Sequence, residues 1–171
     1  WLREVELKDS FERKFSYLRL SLTDKCNFRC TYCLPNGYQP THQSTSELSL
    51  QEVIHLVSAF AKMGVSKVRL TGGEPTLRHD IVEIVDAVSH IEGIRKVGLT
   101  TNGYRLKHLL PSLKKSGLTA LNISLDSLEE QSFQAITGSA RFGDVMEALE
   151  MASQMNFESL KVNAVLLKDR G

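Results

Sequence analysis

The 171-residue chain has only three cysteines, four prolines and one tryptophan, and no excess of charge of either sign. Its 21 Lys and Arg stand against 20 Asp and Glu. No global field therefore draws it to nucleic acid, and any anion binding has to be local. No apolar run approaches the roughly 20 residues of a membrane-spanning helix. The opening WLREVELKDSFERK is charged throughout, where a secretory signal would carry an apolar stretch. With 42% hydrophobic residues the chain is too apolar for disorder, and its glycines and β-branched residues break up any heptad pattern. The expectation is a soluble protein of about one domain, cytoplasmic (mitochondrial if eukaryotic), with neither nucleic acid nor membrane as partner. It opens on Trp1 and stops at Gly171 just after a strand-like run, which reads as a piece of something longer. Residues 1–14 read as an N-terminal extension and residues 15–171 as the domain.

What is present has a rhythm. Strand-like runs at Tyr17–Leu22, Lys67–Thr71, Lys96–Thr101, Ala120–Asp126 and Leu160–Leu167 alternate with helical patterns. Leu50–Met63 puts Val53, Ile54, Val57, Phe60 and Ala61 on one face, opened by the capping-box pair Ser49 and Glu52 and closed by Gly64. Asp80–His90 and Asp144–Met155 carry the same periodicity. In Arg105–Ser116, Pro111 is expected to split the helix in two. Ser127 and Glu130 form a second capping-box pattern before a short helix.

Strands and helices in this alternation predict βαβ units and a parallel sheet, either doubly wound or a partial βα barrel. One parity of each strand is apolar, as in Leu18, Leu20 and Leu22 or Leu121, Ile123 and Leu125. The other is polar or small: Arg19 and Ser21, Arg69 and Thr71, Gly98 and Thr100, Asn122 and Ser124, Lys161 and Asn163. A doubly wound sheet is covered on both faces and would be apolar on both. The fold class expected is therefore α/β, a partial barrel of about five parallel strands with helices outside and a polar lumen. A sheet with one face open to water is the alternative. Arg19, Arg69 and Lys161 place cations in that lumen, with Asp126 the one obvious counter-charge. They point to an anionic, phosphate-bearing ligand, or to structural ion pairs.

All three cysteines lie within eight residues, Cys26, Cys30 and Cys33, on the loop after the first strand. Structural zinc wants four ligands, and only His42 offers a fourth nearby. An iron–sulfur cube on three thiolates would leave one iron open to a substrate, at the strand C-termini where barrel enzymes place their chemistry. The C-x3-C-x2-C spacing, with aromatic Tyr32 before the last cysteine, resembles the radical S-adenosylmethionine (SAM) superfamily. Gly72-Gly73-Glu74-Pro75, Thr100-Thr101-Asn102-Gly103 and Ser124-Leu125-Asp126-Ser127 end the next three strands as that superfamily's motifs do. Taken by themselves, two glycines at a strand end let a ligand's polar group meet the backbone, or simply make a turn. Within the superfamily, Tyr17–Asn27 (YLRLSLTDKCN), RLTGGEP, TTNG, NISLDS and Lys161-Val162-Asn163 resemble the GTP 3′,8-cyclase family of molybdenum cofactor biosynthesis.

The resemblance implies that Cys26, Cys30 and Cys33 hold a [4Fe–4S] cluster whose open iron takes SAM. Tyr32, Gly73 and Ser124 match SAM-contacting positions, with Gly72 and Glu74 in the same glycine motif. Arg19, Arg69, Thr100 and Lys161 match positions that contact GTP. It implies a lyase in which a 5′-deoxyadenosyl radical converts GTP to 3′,8-cyclo-GTP, with a flavodoxin or ferredoxin as electron donor and a homodimer as one form of assembly. A peptide-modifying radical SAM enzyme and a non-catalytic zinc module are the alternatives. Family members carry a second cluster on a further cysteine triad and a sixth strand. No cysteine follows Cys33 here, so the expectation is cluster and SAM binding without turnover of GTP. Residues 34–47 read as a loop over the cluster mouth.

Overall fold

Period-two alternation on the strands and period-3.6 stripes on the helices sort the chain into one layer of each. The computed structural model describes residues 7–40 and 47–166. The strands are β1 (Tyr17–Ser21), β2 (Lys67–Thr71), β3 (Lys96–Thr101), β4 (Ala120–Ser124) and β5 (Ser159–Asn163). Between them run α1 (Leu50–Lys62), α2 (Ile81–Ser89), α3 (Leu106–Lys115), α4 (Glu130–Thr137) and α5 (Phe142–Ser153). All neighbouring strands pair in parallel, in the order β1-β2-β3-β4-β5. A doubly wound sheet reverses its order at a switch point. This one never reverses, so it is the partial barrel.

The apolar parity is the covered one. Leu20, Val68, Leu70, Val97, Leu99, Leu121 and Ile123 are buried against helix residues that include Val53, Val57, Ile84, Leu110 and Val145. The polar parity is half-buried or exposed, apart from Thr71 and Gly98. On β5 the pattern fails, for Val162 is 46% exposed. β5 is the sheet edge, and among the described residues no helix follows to cover it. The expected run to Leu167 also ends early. The ladder stops at Asn163, and Leu167 lies outside the described residues.

Local signals were mostly obeyed. Ser49 accepts the Glu52 amide while the Glu52 carboxylate accepts the Ser49 amide, so α1 opens with a complete capping box. Two expectations are corrected. α3 runs unbroken through Pro111. Leu106, Leu110 and Leu113 are fully buried, each worth roughly 1.5–3 kcal/mol, which outweighs the roughly 3 kcal/mol a helical proline costs. Pro111 itself faces solvent. The Ser127–Glu130 pair makes no capping box, because Ser127 Oγ accepts the Glu129 amide two residues on and the helix starts only at Glu130.

Candidate functional site

The site forms at the C-terminal ends of the strands, where the cysteine loop folds over the sheet. Backbone docks that loop before any side chain does. Gly73 donates to the Thr23 carbonyl at 2.7 Å and Glu74 to the Lys25 carbonyl at 2.7 Å. A β-carbon on Gly72 would stand 2.5 Å from the Thr23 carbonyl oxygen, and one on Gly73 would run into the Lys25 carbonyl. The first use of the two glycines is thus to let the approach to Cys26 lie against the end of β2.

The far side of the loop is held by α4. The last carbonyls of a helix have no partner within it. Here the Thr137 and Ile136 carbonyls accept the Arg29 and Thr31 amides at 2.7 and 3.0 Å. Phe28, only 3% exposed, packs edge-on against Tyr104 and Phe133 with ring centroids 5.9 and 5.7 Å away. Tyr32 donates to Asp126 Oδ2 at 2.5 Å, tying the loop to the end of β4. Burial and that bond to Asp126 push the Tyr32 phenol well above its ordinary value. Asp126 Oδ1 takes the Val165 amide at 2.8 Å. Its expected part as counter-charge to the lumen cations is therefore corrected, since both its oxygens are engaged at the rim.

Cys26 and Cys30 are half-buried, Cys33 is exposed, and none is in a disulfide. Burial first, then the Glu74 and Cys33 charges, raises the Cys26 thiol. Cys30 is raised to about 11 by burial, then by Asp126 and the other two cysteines. Thiols so disposed stay protonated until a metal's positive charge draws off the proton. Among the described residues no three His, Cys, Asp or Glu side chains close on one point as a single ion requires. His42 lies outside the described residues, as do 41–46 of the expected mouth loop. Three soft thiolates carried on one loop are the donor type of an iron–sulfur cluster, in which each sulfur binds its own iron. A further sign of fit is the amide nitrogen of Asn27, next to Cys26, which is buried and has no partner among the described residues.

The Glu74 carboxylate is turned away from the mouth. The side chain is fully buried and faces the protein. Oε2 accepts the hydroxyls of Thr76 and, at 2.6 Å, of Thr101, while Oε1 accepts the Asn102 amide at 2.9 Å. Burial pushes its carboxyl above the ordinary value, although these bonds pull the other way. With both oxygens taken, the Glu74 carboxylate joins the end of β2 to the end of β3 and is not offered to a ligand. Ser124, half-buried, sits at the end of β4 opposite Asn163 of β5.

Register brings the cations together. Arg19 is opposite Arg69, Arg69 opposite Gly98, and Gly98 opposite Ala120. Two residues further along, Thr100 is opposite Asn122 and Asn122 opposite Lys161. The small residues leave room, and Arg69 uses it. Its guanidinium lies 3.1 Å from where a β-carbon on Gly98 would be. Nε donates to the Tyr17 hydroxyl at 3.2 Å and Nη1 reaches Thr100 Oγ1 at 3.5 Å. Asn122 Oδ1 accepts from Nη1 at 3.2 Å when its amide nitrogen donates to the Leu121 carbonyl. Among the described residues Arg19, Arg69 and Lys161 form no ion pair. Structural pairing, the alternative for these cations, is absent there, and what remains is a half-open polar lumen with positive charge on three strands.

Residue types and spacing pointed to the cysteines and the lumen cations. They did not point to Asn27, Phe28, Asn102 or the C-terminus of α4, which hold the loop. Phe28 had a legible signal, being the one large apolar residue between Cys26 and Cys30. Asn102 had none beyond its place in TTNG.

The sequence profile of the radical SAM superfamily matches residues 20–170. A GTP 3′,8-cyclase of Haemophilus influenzae is 51% identical over 97% of this chain and 49% of its own length. One from Synechococcus elongatus is 57% identical over 96% of this chain and 50% of its own. The chain spans about half the length of the curated relatives it matches. Among solved structures, SuiB of Streptococcus suis bound to S-adenosylmethionine superposes with a TM-score of 0.74 at 21% identity, over 90% of this chain and 35% of SuiB. At that identity the likeness is one of fold.

Proposed function

Because the chain belongs to the radical SAM superfamily, we propose that it forms the barrel of a GTP 3′,8-cyclase, with the cluster on Cys26, Cys30 and Cys33 and the nucleotide in the lumen. Membership implies a [4Fe–4S] cluster and SAM. When bound, the cluster supplies the electron that cleaves SAM and opens radical chemistry on the nucleotide. The identity of 51% and 57% to cyclases over almost the whole chain supports the finer reading. The observation that carries it is the lumen charge: Arg69 seated on Gly98, Arg19 opposite Arg69 and Lys161 three strands on from it, with no carboxylate paired to any of them among the described residues.

Each group has a task in this reading. Arg19, Arg69 and Lys161 bind the triphosphate, and Arg69 offers a planar fork that suits phosphate oxygens. The Thr100 hydroxyl adds a neutral partner beside Arg69. Tyr32 on the cysteine loop, Gly73 after β2 and Ser124 at the end of β4 line the place proposed for SAM. The barrel wall holds the target carbon close and keeps water away, which a primary carbon radical demands. A flavodoxin- or ferredoxin-like donor, a homodimer, a cytoplasmic setting and the division into residues 1–14 and 15–171 are part of the same proposal. A second cluster would take its ligands from outside these residues, since all three cysteines are in one loop.

The test is GTP binding and product formation in the anaerobically reconstituted full-length protein. Arg69→Ala and Lys161→Ala should each weaken GTP at least tenfold with iron content unchanged, and mass spectrometry should find 3′,8-cyclo-GTP only with SAM and reductant. Binding indifferent to both substitutions, or a peptide substrate in place of GTP, would remove the cyclase reading and leave the superfamily intact.

A further inference from the structure

Two side-chain amides stand between the end of β3 and Cys26. The orientation of Asn102 is set by its neighbours, for its Oδ1 accepts the Tyr104 amide at 3.0 Å. Its nitrogen must then face the cysteine loop. There Nδ2 donates to Asn27 Oδ1 at 2.8 Å and comes within 4.0 Å of Cys26 Sγ. An amide whose oxygen is taken presents its nitrogen on the other side, so Asn102 orients Asn27 in turn. Asn27 Nδ2 is buried and has no acceptor among the described residues. Leaving such a donor unsatisfied costs roughly 1–3 kcal/mol, and native proteins keep few of them.

Several carbonyls of the loop are already in use. Those of Thr23 and Lys25 take the Gly73 and Glu74 amides, and that of Cys30 takes the Cys33 and Leu34 amides. A buried donor with no partner among the described residues, next to Cys26 and beside a second amide that reaches its sulfur, is placed to meet an acceptor from outside the chain. We propose that Asn27 and Asn102 donate their amide N–H groups to sulfur of the cluster held by Cys26, Cys30 and Cys33, and that these bonds raise its reduction potential. The inference rests on the cluster reading of the loop. An added electron increases the negative charge on sulfur, so N–H donors stabilise the reduced state more than the oxidised one. The two asparagines are positioning and tuning residues, and neither bonds to iron.

The experiment is a redox titration of the anaerobically reconstituted full-length protein, following the electron paramagnetic resonance signal that SAM perturbs. Asn27→Leu keeps the side chain's size and removes the donor. It should retain iron and sulfide and shift the reduced-to-oxidised ratio at a fixed poise about tenfold towards oxidised, about 59 mV for a one-electron couple. Asn27→Ser, which retains a hydroxyl donor, should fall between. A second measurement needs no variant: with asparagine labelled in the heavy nitrogen isotope, pulsed resonance of the reduced wild-type protein should show amide nitrogen coupled to the cluster spin. An unchanged potential in Asn27→Leu at full cluster content, or no such coupling in the wild type, overturns the proposal and leaves the cluster reading standing. A wild-type protein that assembles no SAM-sensitive cluster overturns both.

Discussion

The guanidinium of Arg69 lies flat over Gly98 of the neighbouring strand, 3.1 Å from the position a β-carbon would take. The two are register partners, so the glycine is the seat that lets a half-buried arginine extend across the lumen towards Thr100 and Asn122. Gly98→Ala should push the guanidinium off that seat by a few tenths of an ångström without disturbing the outer face of β3. The expected result is a severalfold loss of GTP affinity by equilibrium dialysis, with an unchanged SAM response of the cluster. Equal loss of both would point to a damaged sheet.

Phe28 carries the cysteine loop into the protein. Truncating a buried phenylalanine costs about 3–5 kcal/mol, and here the cavity would open in the core against which Cys26 and Cys30 pack. Phe28→Ala should lower the denaturant midpoint accordingly and reduce the iron bound per chain. Phe28→Leu should restore most of both. Normal iron loading in Phe28→Ala would show that the backbone bonds to α4 suffice.

Glu74 makes stability depend on pH in a defined direction. Its carboxyl is raised above the ordinary 4.5 in the folded protein. Between 4.5 and the raised value the native state holds a proton that the unfolded chain has released, so stability falls as pH rises through that window. Glu74→Gln keeps an acceptor for the Asn102 amide and removes the ionisation. Its melting temperature should therefore lose that part of the slope. Parallel profiles for the two proteins above pH 4.5 would show that the carboxyl titrates normally.

Pro111 is tolerated in α3 because burial elsewhere in the helix outweighs it. Pro111→Ala restores an amide to the Lys107 carbonyl on an exposed surface. Part of the gain is offset by a freer unfolded chain. A net stabilisation of about 2 kcal/mol is expected in urea unfolding. No gain would mean that the helix is already relaxed around the proline.

The division between what could be read along the chain and what could not follows the range of each interaction. Leu18, Leu20 and Leu22 against Arg19 and Ser21 declare a one-sided strand, because side chains alternate faces with a period of two wherever a strand forms. Ser49 and Glu52 declare a helix start for the same local reason. Ser127 and Glu130 carry the same letters and do otherwise, since a turn between Ser127 and Glu129 competed for the hydroxyl. Pro111 misled because its local cost was visible and the burial that offsets it was not.

The sequence by itself determined the parallel α/β architecture, the polar lumen and the three-thiolate loop at a strand end. These rest on periodicity and on ligand spacing within eight residues. Only the tertiary structure decided that Glu74 turns inward, that Asp126 answers Tyr32 rather than the lumen cations, and that Asn102 meets Asn27 across 75 positions of sequence. Those pairings depend on parallel register and on how a loop docks against β2, β4 and α4. Burial and the need to satisfy every buried polar group settle them once the chain has closed on itself.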